Sequence, residues 1–305
     1  LPKRGIVAAP DEILITLGSQ NALYLLTRLL LSSTTRIGVE NPCFREAINT
    51  FLLADAEVVP HPVDEEGIVL NERPCDYYYV TPGHQVPTGV TMSSARRRQL
   101  LEHAARHDAV IIEDDYDSES NFTLNPLPAL KASDRSGRVV YVSSLSKALS
   151  PGLRLGFMVA DPDLIDEARA LRRLVYRHPP TNIQYQMAHF LAQGHYETHL
   201  RRYHYDSAQR WERLHAALQR YLPSCRALAG SEHANAFWLQ TPAQINTQQL
   251  TWRAAHAGVL IEPGARHFLN AAPPDNYFRM GFHAINPDAI AQGVEVLRGQ
   301  LEQMG

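Results

Sequence analysis

The sequence predicts an α/β protein: a mainly parallel, seven-stranded sheet flanked by helices, with a smaller α+β domain at the C-terminal end. Three observations carry that expectation. Seven short β-branched or aromatic runs fall in the first half, several of them almost continuously apolar, as strands buried on both faces are. Helical patterns lie between many of them, and strands that alternate with helices imply parallel pairing. After Asp161 the alternation stops; long helical stretches follow, and then a mixed pattern of short strands and a closing helix.

In chain order the strand runs are Ile13 to Thr16, Arg36 to Glu40, Glu57 to Val63, Tyr77 to Thr81, Val110 to Asp114, Val139 to Ser143 and Gly156 to Ala160. Helical patterns cover Gln20 to Leu31, Phe44 to Leu53, and a stretch that starts at Ser93, a suitable N-cap, and runs to about Arg106. Asp163 to Arg177 reads as a helix stopped by His178-Pro179-Pro180. A long helical stretch from about Thr181 to Leu222, broken near Gly194, leads out of the first domain. Ala236 to Gln240 and Tyr277 to Phe282 read as strands, and Pro287 to Gln303 as an amphipathic closing helix. The division expected is a large domain over residues 1–205, including the interdomain helix, and a small domain over 206–305.

Bulk properties narrow the function. The chain has 305 residues and is 45% hydrophobic, enough for one large and one small core. The longest apolar candidate, Leu23 to Leu31, is interrupted by Thr27 and Arg28 and is far short of the roughly 18 residues that span a bilayer. Cys43, Cys75 and Cys225 lack metal-type spacing, which fits a reducing, cytoplasmic setting. A net charge of −3 makes the segment a poor grip for a nucleic-acid backbone by itself. The opening Leu1-Pro2-Lys3-Arg4-Gly5 has neither a signal pattern nor an initiator Met, so a piece of a longer protein is expected.

The chemistry converges on strand ends, where open α/β sheets hold ligands. Only three lysines occur, Lys3, Lys131 and Lys147. Lys147 follows a strand within Ser143-Ser144-Leu145-Ser146-Lys147, where burial would lower its pKa and make it nucleophilic toward an aldehyde. The plain alternative is an exposed loop lysine. Glu113-Asp114-Asp115-Tyr116-Asp117 ends the preceding strand, 33 residues earlier when counted from Asp114. Such a run suits a solvated loop or a metal site. It also suits pyridoxal 5′-phosphate (PLP), whose pyridine nitrogen needs a carboxylate, here Asp114, and whose 3′ oxygen benefits from a phenol, here Tyr116. Asp115 and Asp117 are expected to matter much less. Gly18-Ser19-Gln20 opens a helix, where backbone N–H groups and the dipole favour a phosphate. Ser144 and Arg154 are further phosphate donors, and Phe44 is an aromatic that would stack on the ring.

These elements, in this order, resemble the PLP-dependent enzymes of the aspartate-aminotransferase type, fold type I. The resemblance implies Lys147 as the Schiff-base lysine, Asp114 at the pyridine nitrogen, Tyr116 at the 3′ oxygen and Phe44 on the ring. It implies Ser19, Gln20, Ser144 and Arg154 at the phosphate. Arg279, in Tyr277-Phe278-Arg279-Met280-Gly281-Phe282, would bind the acidic group of a ligand. One departure is informative: Val86 stands where aminotransferases usually have Asn before Pro-x-Gly. His84-Gln85-Val86-Pro87-Thr88-Gly89, the acidic run at 113 to 119, and Ser144 to Phe157 (SLSKALSPGLRLGF) resemble the MocR subfamily of bacterial GntR-type transcription regulators. Those join an N-terminal winged helix-turn-helix to an aminotransferase-like effector domain. The implied function is an effector-binding and dimerisation domain that senses an amino-group ligand through an external aldimine with PLP, and reaches DNA only through an N-terminal domain that this chain lacks. A homodimer and no membrane partner are expected. The alternative is a free-standing amino acid aminotransferase.

Overall fold

The structure, a computed structural model, describes residues 1–71, 73–117, 119, 127–228 and 236–304. The first half alternates as expected: β1 (Ile13–Thr16), α1 (Ser19–Leu30), β2 (Arg36–Asn41), α2 (Arg45–Leu52), β3 (Glu57–Asp64), β4 (Gly67–Ile68), β5 (Tyr77–Val80), α3 (Ser94–Arg106), β6 (Val110–Asp115), α4 (Leu130–Ser133), β7 (Val139–Ser144) and β8 (Gly156–Val159). Ser93 caps α3 by accepting from the Arg96 amide at 3.1 Å. The sheet order is β1-β8-β7-β6-β5-β2-β3-β4, which makes eight strands where the sequence pattern counted seven. The extra strand, β4, is two residues long and pairs antiparallel with β3, too short to leave a periodic signal. β3, β2, β5, β6 and β7 are mutually parallel, whereas β8 runs antiparallel to both β7 and β1.

The direction of β8 positions the site. The carboxyl ends of β1, β2, β5, β6 and β7 lie along one edge of the sheet, and the amino end of β8 meets them there. Thr16 and Ser144 both pair with Gly156. A Cβ on Gly156 would lie 2.6 Å from the Gly18 carbonyl carbon and 2.8 Å from the Ser143 oxygen, so only glycine lets these backbones approach. Residues alternate between the two faces. Tyr79, Ile112, Val140, Val142 and Met158 pack on one face with Leu23, Leu26 and Phe51 of α1 and α2. Tyr78, Val80, Ile111 and Val139 pack on the other face with Leu100 and Ala104 of α3.

Beyond the sheet come α5 (Pro162–Val175), α6 (Thr181–Ala192) and α7 (His195–Tyr221). The expected long helix is indeed broken at Gly194, which takes φ 72° between α6 and α7. The first turns of α7 pack Tyr196, Leu200 and Tyr203 against Ala148, Leu155 and Met187. Its last turns pack Leu214, Ala217 and Leu218 against a second core built on β10 (Ala236–Gln240), α8 (Thr247–His256), β12 (Tyr277–Gly281) and α9 (Ile290–Glu302). The helix therefore runs unbroken through position 205, where the sequence reading placed its boundary. The second sheet is antiparallel with order β11-β12-β10-β9, in which β9 is Arg226–Ala227 and β11 is Glu262–Pro263.

Candidate functional site

Lys147 lies in the loop after β7, at the sheet edge where the strand ends converge. Its Nζ is 3.8 Å from Asp117 Oδ1 and 4.0 Å from the centroid of the Tyr116 ring. With 43% of its side chain still exposed, Lys147 is only partly shielded; that shielding lowers its pKa, Asp117 pushes it back up, Arg279 across the cavity lowers it, and Asp114 raises it. Lys147 and Asp117 open into a cavity of about 980 Å³ whose far wall comes from the second sheet and α9, including Arg279, His283 and the segment Val259 to Glu262. That volume is at the upper end of what small-molecule sites use.

The acidic run after β6 divides its residues among separate tasks. Glu113 accepts from the amides of Leu130 at 2.6 Å and Lys131 at 2.8 Å, at the start of α4. Asp114, on the α1 and α2 face, accepts from the Tyr79 hydroxyl at 2.9 Å through Oδ2; its Oδ1 is buried with no hydrogen-bond partner among the described residues. Asp115, on the opposite face, takes the Arg4 guanidinium at 2.7 Å and the Tyr141 hydroxyl at 2.8 Å. Asp117 returns toward the cavity, with Oδ2 3.4 Å from His84 Nδ1. Ser118 lies outside the described residues. No group of three or more metal-ligating side chains occurs among the described residues.

Burial raises Asp114 to about 7, and Asp115 adds to the shift. In the unfolded chain an aspartate titrates near 3.9. Between those values the folded chain holds a proton that the unfolded chain has released, so stability falls as pH rises from about 4 to 7. Chemical denaturation of the cofactor-free chain should therefore show higher stability at pH 5.5 than at pH 7.5. Asp114→Asn should remove part of that slope, with Glu40 and Glu119, raised by burial to about 7 and about 8, supplying more of it. An unchanged slope in Asp114→Asn would show that the carboxyl is already ionised in the folded chain.

At the other end of the crevice, Gly18 takes φ 79° ahead of α1, and Arg154 takes φ 47° ahead of β8. The Arg154 guanidinium reaches back to the Leu17 carbonyl at 3.4 Å, and a Cβ on Gly18 would sit 3.2 Å from its Nη2. Ser144, Ser19 and Arg154 thus surround the amino end of α1, a favourable place for an anion. Gln20 is drawn elsewhere: its amide donates to Thr50 Oγ1 at 2.8 Å, tying α1 to α2. Tyr116 donates its hydroxyl to the His84 carbonyl at 3.0 Å. Phe44 is half-buried against the core at the cap of α2. Arg279 meets Glu262 at 3.4 Å. Glu262 is held down to about 2, chiefly by His267 and then by Arg279 and Arg266.

The loop around His84 is organised by Gln85. Its amide donates to the Pro42 carbonyl at 2.7 Å, and its oxygen accepts from the Thr88 hydroxyl at 2.6 Å, so the turn is bound to the end of β2. His84, Asp117, Glu262 and His283 escaped the sequence reading as site residues. Asp117 and His84 stood inside motifs already singled out. Nothing local marked Glu262 or His283. The His283 ring stacks on Tyr203 with centroids 5.5 Å apart, and its Nδ1 meets the hydroxyls of Tyr203 at 3.1 Å and Ser207 at 3.2 Å.

A lysine beside the cavity, a buried Asp114 oxygen with no hydrogen-bond partner among the described residues, and a helix start flanked by Ser19, Ser144 and Arg154 suit pyridoxal phosphate. Residues 4–297 match the aminotransferase class I and II family, and the chain belongs to that family. It is 39% identical, over 96% of its length, to the HTH-type transcriptional regulator TauR of Rhodobacter capsulatus, and 34% identical, over 97%, to the probable rhizopine catabolism regulatory protein MocR of Rhizobium meliloti. It spans only 61% and 60% of those two relatives. The α-aminoadipate aminotransferase LysN of Thermus thermophilus, solved in complex with N-(5′-phosphopyridoxyl)-L-leucine, superposes with a TM-score of 0.91 at 28% identity, over 99% of this chain and 81% of that one. The family and this neighbour indicate PLP as the cofactor, as the sequence led one to expect. The sequence resemblance to MocR-type regulators is likewise borne out by the two curated relatives. Among the described residues, no helix is long and apolar enough to cross a membrane.

Proposed function

We propose that this chain is the effector-binding and dimerisation part of a MocR-type transcription regulator, holding PLP on Lys147 and sensing an amine that carries an acidic group. One observation carries the reading: Lys147 and Arg279 line the same cavity, so the amine and the acid of one small ligand can be met together. The cofactor, bound through Lys147, would supply an aldehyde carbon that takes up amines and a ring that withdraws electrons. Asp114 Oδ1, buried with no hydrogen-bond partner among the described residues, would keep the proton on the ring nitrogen. Ser19, Ser144 and Arg154 would hold the phosphate, with Gln20 steadying α1 behind them. Tyr116 would serve the 3′ oxygen, and Phe44 would cover the ring.

Arg279 on β12 and Lys147 after β7 belong to different sheets, so a ligand held by both draws the two walls of the cavity together. That contact supplies the free energy for a shift in conformation. In this proposal the shift passes, within a cytoplasmic homodimer, to a winged helix-turn-helix outside this chain. TauR and MocR, at 39% and 34% identity, support the sensor reading; the fold of LysN supports an amino acid aminotransferase as the second reading.

The test is an absorbance titration of the PLP-loaded chain with a panel of amino acids and other acid-bearing amines. The expected result is a stable change in the visible band with one class of amine, without rapid turnover when a 2-oxo acid is added. Arg279→Ala should weaken that amine by about ten- to a hundredfold, the worth of roughly 1.5–3 kcal/mol for a charged hydrogen-bonded contact, and leave the ligand-free spectrum unchanged. Steady-state transamination at about 1 per second or faster, an ordinary enzyme rate, would overturn the sensor in favour of the enzyme.

A further inference from the structure

Resting on the reading of Lys147 as the cofactor lysine, we infer that Asp117, steadied by His84, is a positioning residue that keeps a proton on the Lys147 amine when that amine is not joined to the cofactor. It thereby withholds the lysine from service as the base that turnover requires. Asp114 and Asp117 are both buried carboxylates near the lysine, yet they face different ends of the crevice: Asp114 bonds Tyr79 on the α1 and α2 face, whereas Asp117 Oδ1 stands 3.8 Å from Nζ. Once a ring nitrogen occupies Asp114, its charge is matched there. Asp117 then remains the carboxylate within ion-pair distance of the lysine among the described residues.

The surroundings set how much that charge counts. The Asp117 side chain is 2% exposed and the Lys147 side chain 43% exposed, so water screens the pair from the lysine's side and the shift expected lies at the low end of the usual range. His84 Nδ1, 3.4 Å from Oδ2, and the Tyr116 hydroxyl on the His84 carbonyl tie the loop after β5 to the segment after β6. The other charged or titratable groups that bear on the lysine are Arg279, Asp114 and the phenol Tyr116, whose ring centroid lies 4.0 Å from Nζ, with His283 on the far wall. Arg279 opposes protonation and Asp117 favours it. An opposite charge within about 4–6 Å moves a pKa by about 1–3 units. A lysine kept as an ammonium cannot accept the proton that a ligand's carbon must lose for transamination. The ligated state that a sensor needs is correspondingly long-lived.

The experiment follows the pH titration of the Lys147 nitrogen in the chain loaded with pyridoxamine 5′-phosphate, the amine form of the cofactor, which leaves the lysine as a free amine. Asp117→Asn should move that titration down by about 1 pH unit or more, and Asp117→Glu should stay near the parent. An unmoved titration in Asp117→Asn overturns the inference. Should that variant fail to fold, the parent decides. With only three lysines in the chain, ¹⁵N-lysine labelling reports the Lys147 nitrogen directly by NMR. A nitrogen protonated at pH 7 to 8 supports the role, and an unprotonated one overturns it. Both readouts stand apart from turnover. Rapid transamination by the parent would end the sensor reading, and a label on another lysine would end the cofactor-lysine reading, whichever way the titration falls.

Discussion

Lys147→Ala should abolish covalent attachment of PLP altogether. In the parent chain, borohydride reduction of the yellow, PLP-loaded protein should fix the cofactor on the peptide that contains Lys147, and mass spectrometry after digestion should find it nowhere else. The effect is all-or-none because the other two amines are placed elsewhere. Lys3 is 68% exposed and paired with Glu197 at 3.5 Å on the surface. Lys131 belongs to α4, on the face of the sheet away from α1 and α2. Of the three lysines, only Lys147 borders the cavity that a ligand would enter. A label recovered on Lys131 or Lys3 would show that the site has been assigned to the wrong strand end.

Asp115→Ala should be the most destabilising change in the acidic run, although the residue is remote from the ligand. Asp115 is 2% exposed and Arg4 11% exposed at the side chain, and they are joined at 2.7 Å. Arg4 also donates to the Leu127 carbonyl at 2.7 Å, and the Tyr141 hydroxyl donates to Asp115 at 2.8 Å. Removing the carboxylate strands a buried guanidinium, a loss that typically costs about 3–5 kcal/mol, or roughly a hundredfold to several thousandfold in the folding constant. Urea denaturation of the cofactor-free chain measures it. A double change to apolar residues, Arg4→Met with Asp115→Leu, should recover much of the loss, because it removes the stranded charge together with its partner. An unchanged midpoint in Asp115→Ala would mean that the pair contributes nothing to holding the N-terminal segment on the sheet.

This second expectation adds to the sequence reading, which took Asp115 to matter little for the cofactor and said nothing of its part in folding. For cofactor binding it should still be minor. For folding it is expected to be central, and the reason is the two-residue repeat of a strand. Asp114 and Asp115 are neighbours in sequence but point to opposite faces of β6, one toward Tyr79 and the crevice, the other toward Arg4 and Tyr141. A run of acids shows that some face inward; it does not show which partner waits on each face.

Much of the fold was legible because its determinants are local. Apolar runs bounded by turns located the seven longer strands. The Gly18-Ser19 helix start, the break at Gly194 and the lysine just after β7 are likewise short-range signals. The order of cofactor-type motifs carried the family, and with it the fold. The sequence by itself therefore determined the alternating α/β scaffold, the class of cofactor, and which strand ends carry Lys147, Asp114 and Arg154. Only the tertiary structure decided the rest. It set β8 antiparallel between β7 and β1, which brings Arg154 back to Gly18. It turned Gln20 toward Thr50, gave Asp115 to Arg4 across 111 residues, set His84 against Asp117, and placed Glu262 and His283 on the cavity wall with Arg279. Each of these depends on register across the sheet, or on contacts between segments far apart in the chain. Periodicity along one strand reports which residues share a face, but it carries no information about what the folded chain brings to meet them.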